Sequence, residues 1–214
     1  MIRNLAAGVQ AFTSNAFLVA GDRTVLVDTG ANFDVVPRIR RELEELPDGG
    51  AGDADGEATA EIESATLDAV VLTHTHPDHV GNVPEVKEAF DVETWGFDTD
   101  QPATDNPIDD EERLQLGDHD YIAVHTPGHK NDHLCFYARG PGILFAGDLV
   151  FQNGGFGRTD LEEGDRATLI ESIDRIHALV GDEVTEMHVG HGPSVTRNPS
   201  HDVELARQAA RMGP

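Results

Sequence analysis

The sequence predicts an α/β protein, in which short buried strands alternate with amphipathic helices. Short apolar runs bounded by Gly, Pro or Asp, such as 142–146, are typical of buried strands. Stretches with apolar residues three or four positions apart, such as 165–180, are typical of helices that pack on a sheet. In addition, the strand 67–72 runs directly into a cluster of histidines, and α/β folds commonly carry their chemistry at the C-terminal ends of strands.

The first half of the chain is predicted to form three strands and two helices. The strands 15–19 and 24–27 enclose a Gly-Asp-Arg turn and form a hairpin. A helix over 34–46 is indicated by the apolar stripe of Val35, Ile39, Leu43 and Leu46. The strand 67–72 follows, and we expect a second helix over 81–89.

The second half begins with a polar, acidic stretch, 97–112, which we expect to be a loop. The helix 165–180 has the clearest signals in the chain, because Asp165 is a candidate N-cap and Gly181 stands where a helix-ending glycine belongs. Its expected buried stripe is Leu169, Ile173, Ile176 and Val180. The other predicted elements are strands at 121–124, 134–137, 142–146 and 183–189 and a terminal helix over about 201–212.

Length and charge limit the classes of function. The 214 residues, 38% of them hydrophobic, suffice for one substantial core, and we expect a single domain over 1–214 with an acidic surface insertion around 48–66. The 40 acidic and 15 basic residues give a net charge of -25, which opposes binding to nucleic acid or to anionic membranes. We therefore expect a small-molecule substrate, and the oligomeric state stays open. The charge resembles that of proteins from salt-accumulating halophiles.

The compartment is expected to be the cytoplasm. The N-terminal residues lack the apolar segment of a secretory signal, and no stretch approaches the ~18 apolar residues of a membrane span. The single cysteine, Cys135, excludes an internal disulfide and fits a reducing compartment. It stands in the middle of a predicted strand, where a packed thiol is the favoured interpretation over a catalytic pair with His133.

The stretch 73–79, THTHPDH, predicts a metal site. His74 and His76 are two positions apart and can point the same way from an extended segment, while the following turn can bring Asp78 and His79 round from the other side. Divalent metals take imidazole and carboxylate ligands, and four such groups in six residues would be costly to crowd without a cation.

Three distant residues stand in matching positions. His129 in TPGH, Asp148 in AGD and His191 in VGHG each stand shortly after a predicted strand. A sheet that aligns these strand ends would gather the three side chains at one edge, beside the histidine cluster.

These motifs, together with Asp28 in LVDTG, resemble in type and order the five motifs of the metallo-β-lactamase superfamily, over nearly the whole chain. The resemblance implies an αβ/βα four-layer sandwich, with two mixed β-sheets flanked by helices and a two-metal site at one edge. By matching position, one ion would be held by His74, His76 and His129, and the other by Asp78, His79 and His191. Asp148 would bridge the two ions, and Asp28 would orient ligands without binding metal.

The chemistry implied is hydrolysis by two divalent ions, with zinc expected and iron or manganese as alternatives. A water shared by the ions becomes a hydroxide near neutral pH and attacks an electrophilic carbon, with Asp78 and Asp148 as the catalytic carboxylates. Asp148 stands where β-lactamases commonly carry cysteine, which disfavours lactam hydrolysis. The acidic surface likewise disfavours the RNA-processing members of the superfamily.

The stretch 147–161 is similar to the corresponding segment of glyoxalase II-like thioesterases, with Phe151 and Arg158 as candidates for the substrate side. A small acyl thioester is therefore the expected substrate. Hydroxyacylglutathione hydrolases add a C-terminal helical domain that binds glutathione, whereas only about twenty residues follow His191 here. We therefore expect a thiol carrier other than glutathione. Two alternatives remain open: a mononuclear iron persulfide dioxygenase using His74, His129 and Asp148, and a lactonase on the same ligand set.

Overall fold

The computed structural model describes residues 1–46 and 65–212, which form two β-sheets packed face to face with helices outside. The strands are β1 (Ile2–Asn4), β2 (Phe17–Val19), β3 (Val25–Val27), β4 (Ala69–Val71), β5 (Thr94–Gly96), β6 (Asn106–Pro107), β7 (Arg113–Leu116), β8 (His119–His125), β9 (Leu134–Ala138), β10 (Ile143–Gly147) and β11 (Glu186–Val189). The α-helices are α1 (Val35–Glu44), α2 (Pro77–Val80), α3 (Val83–Phe90), α4 (Arg166–Val180) and α5 (Pro199–Met212).

Both sheets are mixed. The first has the order β1-β2-β3-β4-β5-β6, in which β1 to β3 pair antiparallel and β3 to β6 pair parallel. The second has the order β11-β10-β9-β8-β7, in which only β10 and β11 pair parallel. Because the parallel strands of each sheet end on the same side, their C-terminal ends provide two adjacent rows of loops for a site.

Apolar side chains fill three layers between these elements. The inner faces of the sheets meet in one cluster that includes Phe17, Tyr121, Phe136 and Phe145. A second cluster joins the outer face of the β7–β11 sheet to α4 and α5, and a third joins the β1–β6 sheet to α1 and α3. The order helix, sheet, sheet, helix confirms the predicted αβ/βα sandwich. None of the described helices is long and apolar enough to cross a membrane.

Most of the predicted elements are present. The hairpin is formed by β2 and β3, and α1 buries Val35, Ile39 and Leu43 as expected. Helix α4 begins after Asp165, whose carboxylate accepts the backbone N–H of Thr168 at 2.7 Å, and its predicted stripe is buried. Strand β11 begins at Glu186, later than expected. The backbone N–H of Glu183 donates to Val180 and that of Thr185 to Gly142, so these residues belong to turns and not to the strand.

The differences lie where the local signal is short. The helix expected over 81–89 is present as α3, and a separate single turn that was not predicted, α2, begins at Pro77 inside the histidine cluster. The stretch 97–112 contains β6, whose two residues are too few for a readable pattern. Strands β1, β5 and β7 have no counterpart among the predictions. The predicted acidic insertion at 48–66 falls, up to residue 64, outside the described residues.

Candidate metal centre

The strand ends of both sheets bring seven predicted ligand side chains to one edge of the sandwich. The β1–β6 sheet supplies four of them from the segment after β4, and the β7–β11 sheet supplies three from the segments after β8, β10 and β11. Three overlapping groups have their ligand atoms within 4.8 Å of one another: His74, His76, His129; His74, His79, Asp148; and Asp78, His79, His191. The places where these four strands end therefore determine where the seven side chains lie.

The first triad consists of His74, His76 and His129. Nε2 of His74 lies 3.0 Å from Nδ1 of His76, and the ring of His129 is 4.6 Å from that of His76 and 5.0 Å from that of His74, between centroids. His74 and His129 are buried, whereas His76 is partly exposed. The three imidazoles thus enclose a space that opens towards solvent beside His76.

The second triad consists of Asp78, His79 and His191. Pro77 begins α2, and its single turn carries Asp78 and His79 round to the side away from His76. The Asp78 carboxylate lies 3.1 Å from Nε2 of His191. His79 is buried, and the side chain of His191 is 35% exposed, so this triad also has an open side.

Asp148 lies between the two triads. Its Oδ1 is 3.4 Å from Nε2 of His79, and its Oδ2 is 3.4 Å from Nε2 of His129 and 3.5 Å from Nε2 of His191. One carboxylate therefore faces both triads, with each oxygen directed at different imidazoles. Such an arrangement suits a carboxylate shared by two cations.

The separations around Asp148 fit metal ligation better than hydrogen bonding. Two ligand atoms that are each about 2.0–2.1 Å from a tetrahedral zinc ion lie roughly 3.4 Å from each other, which matches the separations around Asp148. Nε2 of His79, Nε2 of His129 and Oδ1 of Asp148 are all buried without a hydrogen-bond partner. Buried polar atoms are normally paired, so three orphaned atoms converging on one region fit divalent cations that complete their coordination.

The charges at the centre also fit cation binding. Burial, together with the neighbouring His79, lowers the pKa of His74 well below its usual value, and burial lowers that of His76 to about 4, so both imidazoles are neutral near pH 7. Burial alone would lower the pKa of His79, but the carboxylates of Asp28 and Asp148 raise it to about 10. In the metal-free protein a proton on His79 thus supplies positive charge that these carboxylates favour, and a cation can replace it.

Asp28 holds His79 from behind. Its Oδ2 accepts a hydrogen bond from Nδ1 of His79 at 2.7 Å, and the backbone N–H and hydroxyl of Thr73 donate to the same carboxylate at 2.7 Å each. This bond leaves Nε2 of His79 facing Asp148 as a free ligand atom. Asp28 has a φ of 56°, a left-handed conformation that an aspartate tolerates better than most residues.

The segment with Arg158 contributes to the centre through its backbone. Nδ1 of His129 donates to the carbonyl oxygen of Arg158 at 2.8 Å, while the guanidinium of Arg158 forms an exposed pair with Asp160 at 2.8–2.9 Å. The adjacent Gly157 allows close packing, since a Cβ there would lie 2.0 Å from the carbonyl oxygen of Asp148. The guanidinium of Arg158, a candidate for the substrate side, is therefore paired with Asp160 at the surface.

His133 is a supporting residue that the sequence did not assign to the centre. Its Nε2 accepts the backbone N–H of Asp148 at 3.0 Å, and its Nδ1 lies 2.8 Å from the hydroxyl of Thr126, to which it donates. Burial lowers the pKa of His133 well below its usual value, which keeps the accepting nitrogen unprotonated. Cys135, two residues on, is fully buried and its pKa is raised to about 12 by burial, as expected of a packed thiol.

Two phenylalanines flank the open side of the second triad. The ring of Phe12 lies 6.3 Å from that of His191 and is 77% exposed, and the ring of the partly buried Phe151 lies 6.4 Å from it. Phe151 was predicted for the substrate side. Phe12 was not, because the irregular segment between β1 and β2 gives no periodic signal.

Comparisons with known proteins identify the family of the chain. The family model for the metallo-β-lactamase superfamily matches residues 9–114 and 97–191. A hydroxyacylglutathione hydrolase of Chromohalobacter salexigens is 30% identical over 209 residues, covering 90% of this chain and 72% of the relative. An atrochrysone carboxyl ACP thioesterase of Emericella nidulans is 28% identical over 214 residues, covering 99% of this chain and 62% of the relative.

Among solved structures, TTHA1623 in a di-iron-bound form is similar at 28% sequence identity with a TM-score of 0.66, covering 96% of each chain. The family model spans well over half of the sequence, and the relatives named for hydrolysis cover most of it. The chain therefore belongs to the metallo-β-lactamase superfamily, among the metal-dependent hydrolases that resemble hydroxyacylglutathione hydrolase.

Proposed function

We propose that the protein is a dinuclear hydrolase that cleaves a small acyl thioester. The observation that carries the proposal is the position of Asp148, whose two oxygens face imidazoles of both triads at 3.4–3.5 Å. Two relatives support the choice of bond, because a hydroxyacylglutathione hydrolase and an acyl carrier protein thioesterase are named for different thiol carriers and the same thioester chemistry.

Each triad has a separate task in this reaction. Two divalent ions, when bound, supply a hydroxide near neutral pH and stabilise negative charge on the carbonyl oxygen of the substrate. His74, His76 and His129 would hold one ion, and Asp78, His79 and His191 the other, with Asp148 between them. Asp78, which lies beside His191 at the partly open side, would accept the proton that the bound water releases and return it to the leaving thiolate. Phe12 and Phe151 offer an apolar surface to the substrate beside His191.

The two-ion assignment is favoured over a single iron held by His74, His129 and Asp148. A mononuclear centre would leave Asp78 and His191 without a metal, although they converge to 3.1 Å and share the region of His79. Zinc is the proposed metal, since imidazole and carboxylate ligands suit it, and iron and manganese accept the same set. A lactonase would use the same ligands with a different acyl substrate.

Metal analysis and a substrate panel test this proposal. Protein purified with zinc, iron or manganese is assayed for bound metal, for thiol release from S-lactoylglutathione, an acyl-coenzyme A and an acyl N-acetylcysteamine, and for hydrolysis of lactones. We expect two ions per chain and thiol release. One iron per chain with oxygen consumption on glutathione persulfide would overturn the hydrolase assignment, and lactone hydrolysis without thiol release would overturn the thioester.

The matched variants are Asp148→Ala and Asp174→Ala. Asp148→Ala removes the carboxylate between the triads, so we expect loss of both activity and two-ion binding. Asp174 lies on α4, where it pairs with Arg207 at 2.6 Å on the surface, and its replacement should leave both unchanged. Full activity in Asp148→Ala would refute the assignment of the centre.

We also propose that the partner is a small molecule and not nucleic acid or a membrane, and that the protein works in a salty cytoplasm. The net charge of -25 supports each part, because it repels polyanions and is tolerated best where salt screens self-repulsion. Retention of the protein on immobilised DNA at low salt would contradict it.

A further inference from the structure

A largely buried ionic cluster joins the two chain segments that carry the first triad, and the hydrolytic chemistry does not use it. We call Thr75, Lys130, Asp132 and Glu163 the Lys130 cluster. The Thr75 hydroxyl donates to Oδ2 of Asp132 at 2.5 Å, and Nζ of Lys130 lies 3.4 Å from Oδ1 of Asp132 and 3.2 Å from Oε1 of Glu163. The backbone N–H of Asn131 also donates to Glu163, at 3.2 Å.

The burial of this cluster is unusual for charged groups. The side chain of Lys130 is 7% exposed and that of Asp132 is 3% exposed, while Glu163 is 30% exposed. Buried ion pairs contribute little net stability, because the loss of hydration offsets the attraction, and they are retained in some proteins because they fix one conformation. The cluster therefore calls for an explanation in terms of geometry.

The members of the cluster adjoin the first triad along the chain. Thr75 stands between His74 and His76, and Lys130 directly follows His129. The hydrogen bond from Thr75 to Asp132 thus joins the segment after β4 to the segment after β8, which carry the two arms of the triad. The contact of Lys130 with Glu163 ties the second segment to the loop before α4.

We propose that the Lys130 cluster is a positioning device that sets the distance between the His74 and His76 arm and the His129 arm, and thereby the metal affinity of the first site alone. The second triad is supported by Asp28 through its bond to His79, and no hydrogen bond among the described residues joins Asp28 to the cluster. The Thr73 hydroxyl, which donates to Asp28, also lies 3.1 Å from Nδ1 of His74 and so serves both triads. The inference rests on the proposed two-ion centre. It assigns Asp132 and Thr75 a role in the order and strength of metal loading, and makes them positioning residues rather than catalytic ones.

The test compares Asp132→Asn, Thr75→Val and Thr75→Ser with the unaltered protein. Asp132→Asn keeps an oxygen for the Thr75 hydroxyl and removes the charge that Lys130 faces, whereas Thr75→Val removes the hydroxyl and keeps the shape. Thr75→Ser keeps the hydroxyl and serves as the conservative rescue. Asp174→Asn, in an exposed pair on α4, is the control for an Asp→Asn change.

Zinc affinity is measured at each site by competition with a chromophoric chelator, and the ligand field of each site by cobalt absorption spectra. For Asp132→Asn and Thr75→Val we expect a roughly 10- to 100-fold weaker first site, the usual effect of losing a partner behind a ligand, with the second site near its original affinity. Thr75→Ser and Asp174→Asn should match the unaltered protein. In Asp132→Asn and Thr75→Val, the cobalt spectrum should change only in the bands of the ion at the first site.

Two results would overturn the proposal. Unchanged zinc affinities in Asp132→Asn and Thr75→Val, with a lowered melting temperature of the metal-free protein, would show that the cluster only stabilises the fold of these loops. Equal weakening of both sites would show that it supports the edge as a whole. An unaltered protein that binds fewer than two ions would refute the two-ion function itself, so the failures of the two proposals are distinguishable.

Discussion

His188 provides a test of the fold that is independent of the metal ligands. It lies on β11, is 4% exposed, and its ring is 4.8 Å from the rings of Phe17 and Phe145, between centroids. Its Nδ1 lies 2.8 Å from the Ser194 hydroxyl. Its Nε2 is 3.4 Å from the carboxylate of the partly exposed Glu186, with which it forms no hydrogen bond. Burial lowers the pKa of His188 from 6.5 to about 4, since a charged imidazole among these rings would lose its hydration.

The sign of the effect on stability follows from proton binding. Between pH ~4 and ~6.5 the unfolded chain binds a proton at His188 and the folded chain does not, so unfolding takes up a proton there and the free energy of unfolding falls as the pH falls. A difference of about 2.5 pKa units corresponds to about 3 kcal/mol over the whole window, of which about 2 kcal/mol is lost between pH 7 and pH 5. This contribution is fully present above pH ~6.5.

The perturbation is His188→Gln, which removes the titration and keeps a polar side chain near Ser194. Denaturant unfolding is followed at pH 5, 6 and 7 in chelator and constant high salt, above the sequence pI of about 4.5. We expect the difference between the two proteins in free energy of unfolding to shrink by about 2 kcal/mol from pH 7 to pH 5. Other histidines titrate in both proteins and cancel in this difference. A difference that stays constant over the range would refute the reasoning.

Three further substitutions separate packing from function. Gly157→Ala would bring a Cβ to 2.0 Å from the carbonyl oxygen of Asp148, so we expect a loss of about 1–3 kcal/mol in free energy of unfolding and weaker metal binding; normal metal content would contradict this. Phe12→Ala removes a 77% exposed ring beside His191, and should raise KM while changing the free energy of unfolding by less than about 0.5 kcal/mol. Ile173→Ala leaves a cavity at a fully buried position on the inner face of α4 and should lower the free energy of unfolding by about 2–5 kcal/mol. KM should be unchanged at temperatures where the protein stays folded.

The fold class and the gathering of the ligand residues could be predicted because both depend on local patterns. Buried strands such as β10 are continuous apolar runs, and a ligand such as Asp148 follows its strand directly, so the end of the strand also determines the position of the side chain. The helix signals at Asp165 and Gly181 are equally local, and they were sufficient to locate α4. Short elements such as β1 and β6 offer too few residues for any period to emerge.

Apart from that of Asp28, which the motif resemblance indicated, the supporting contacts could not be predicted, because they join segments distant in sequence through backbone atoms. The carbonyl oxygen of Arg158 that accepts from His129 belongs to the backbone, and so does the N–H of Asp148 that His133 accepts. The similarity of the stretch 147–161 to glyoxalase II-like thioesterases indicated that the guanidinium of Arg158 faces the substrate. In the structure the glycine makes room and the carbonyl orients a ligand, while the guanidinium pairs with Asp160 at the surface.

The two triads have different kinds of support, and this difference has a physical consequence. His79 is held by a buried carboxylate, which favours positive charge at this side of the centre and makes its imidazole a stronger ligand. His129 is held by a neutral carbonyl, so its strength as a ligand depends on where its segment lies. The buried charged side chains of the Lys130 cluster adjoin His129, whose partner is a neutral carbonyl, and not His79, whose partner is a carboxylate. Without a carboxylate partner on His129, the metal affinity of the first site depends more on the distances between its imidazoles. A charged cluster that loses hydration on burial is therefore best placed where it can fix those distances.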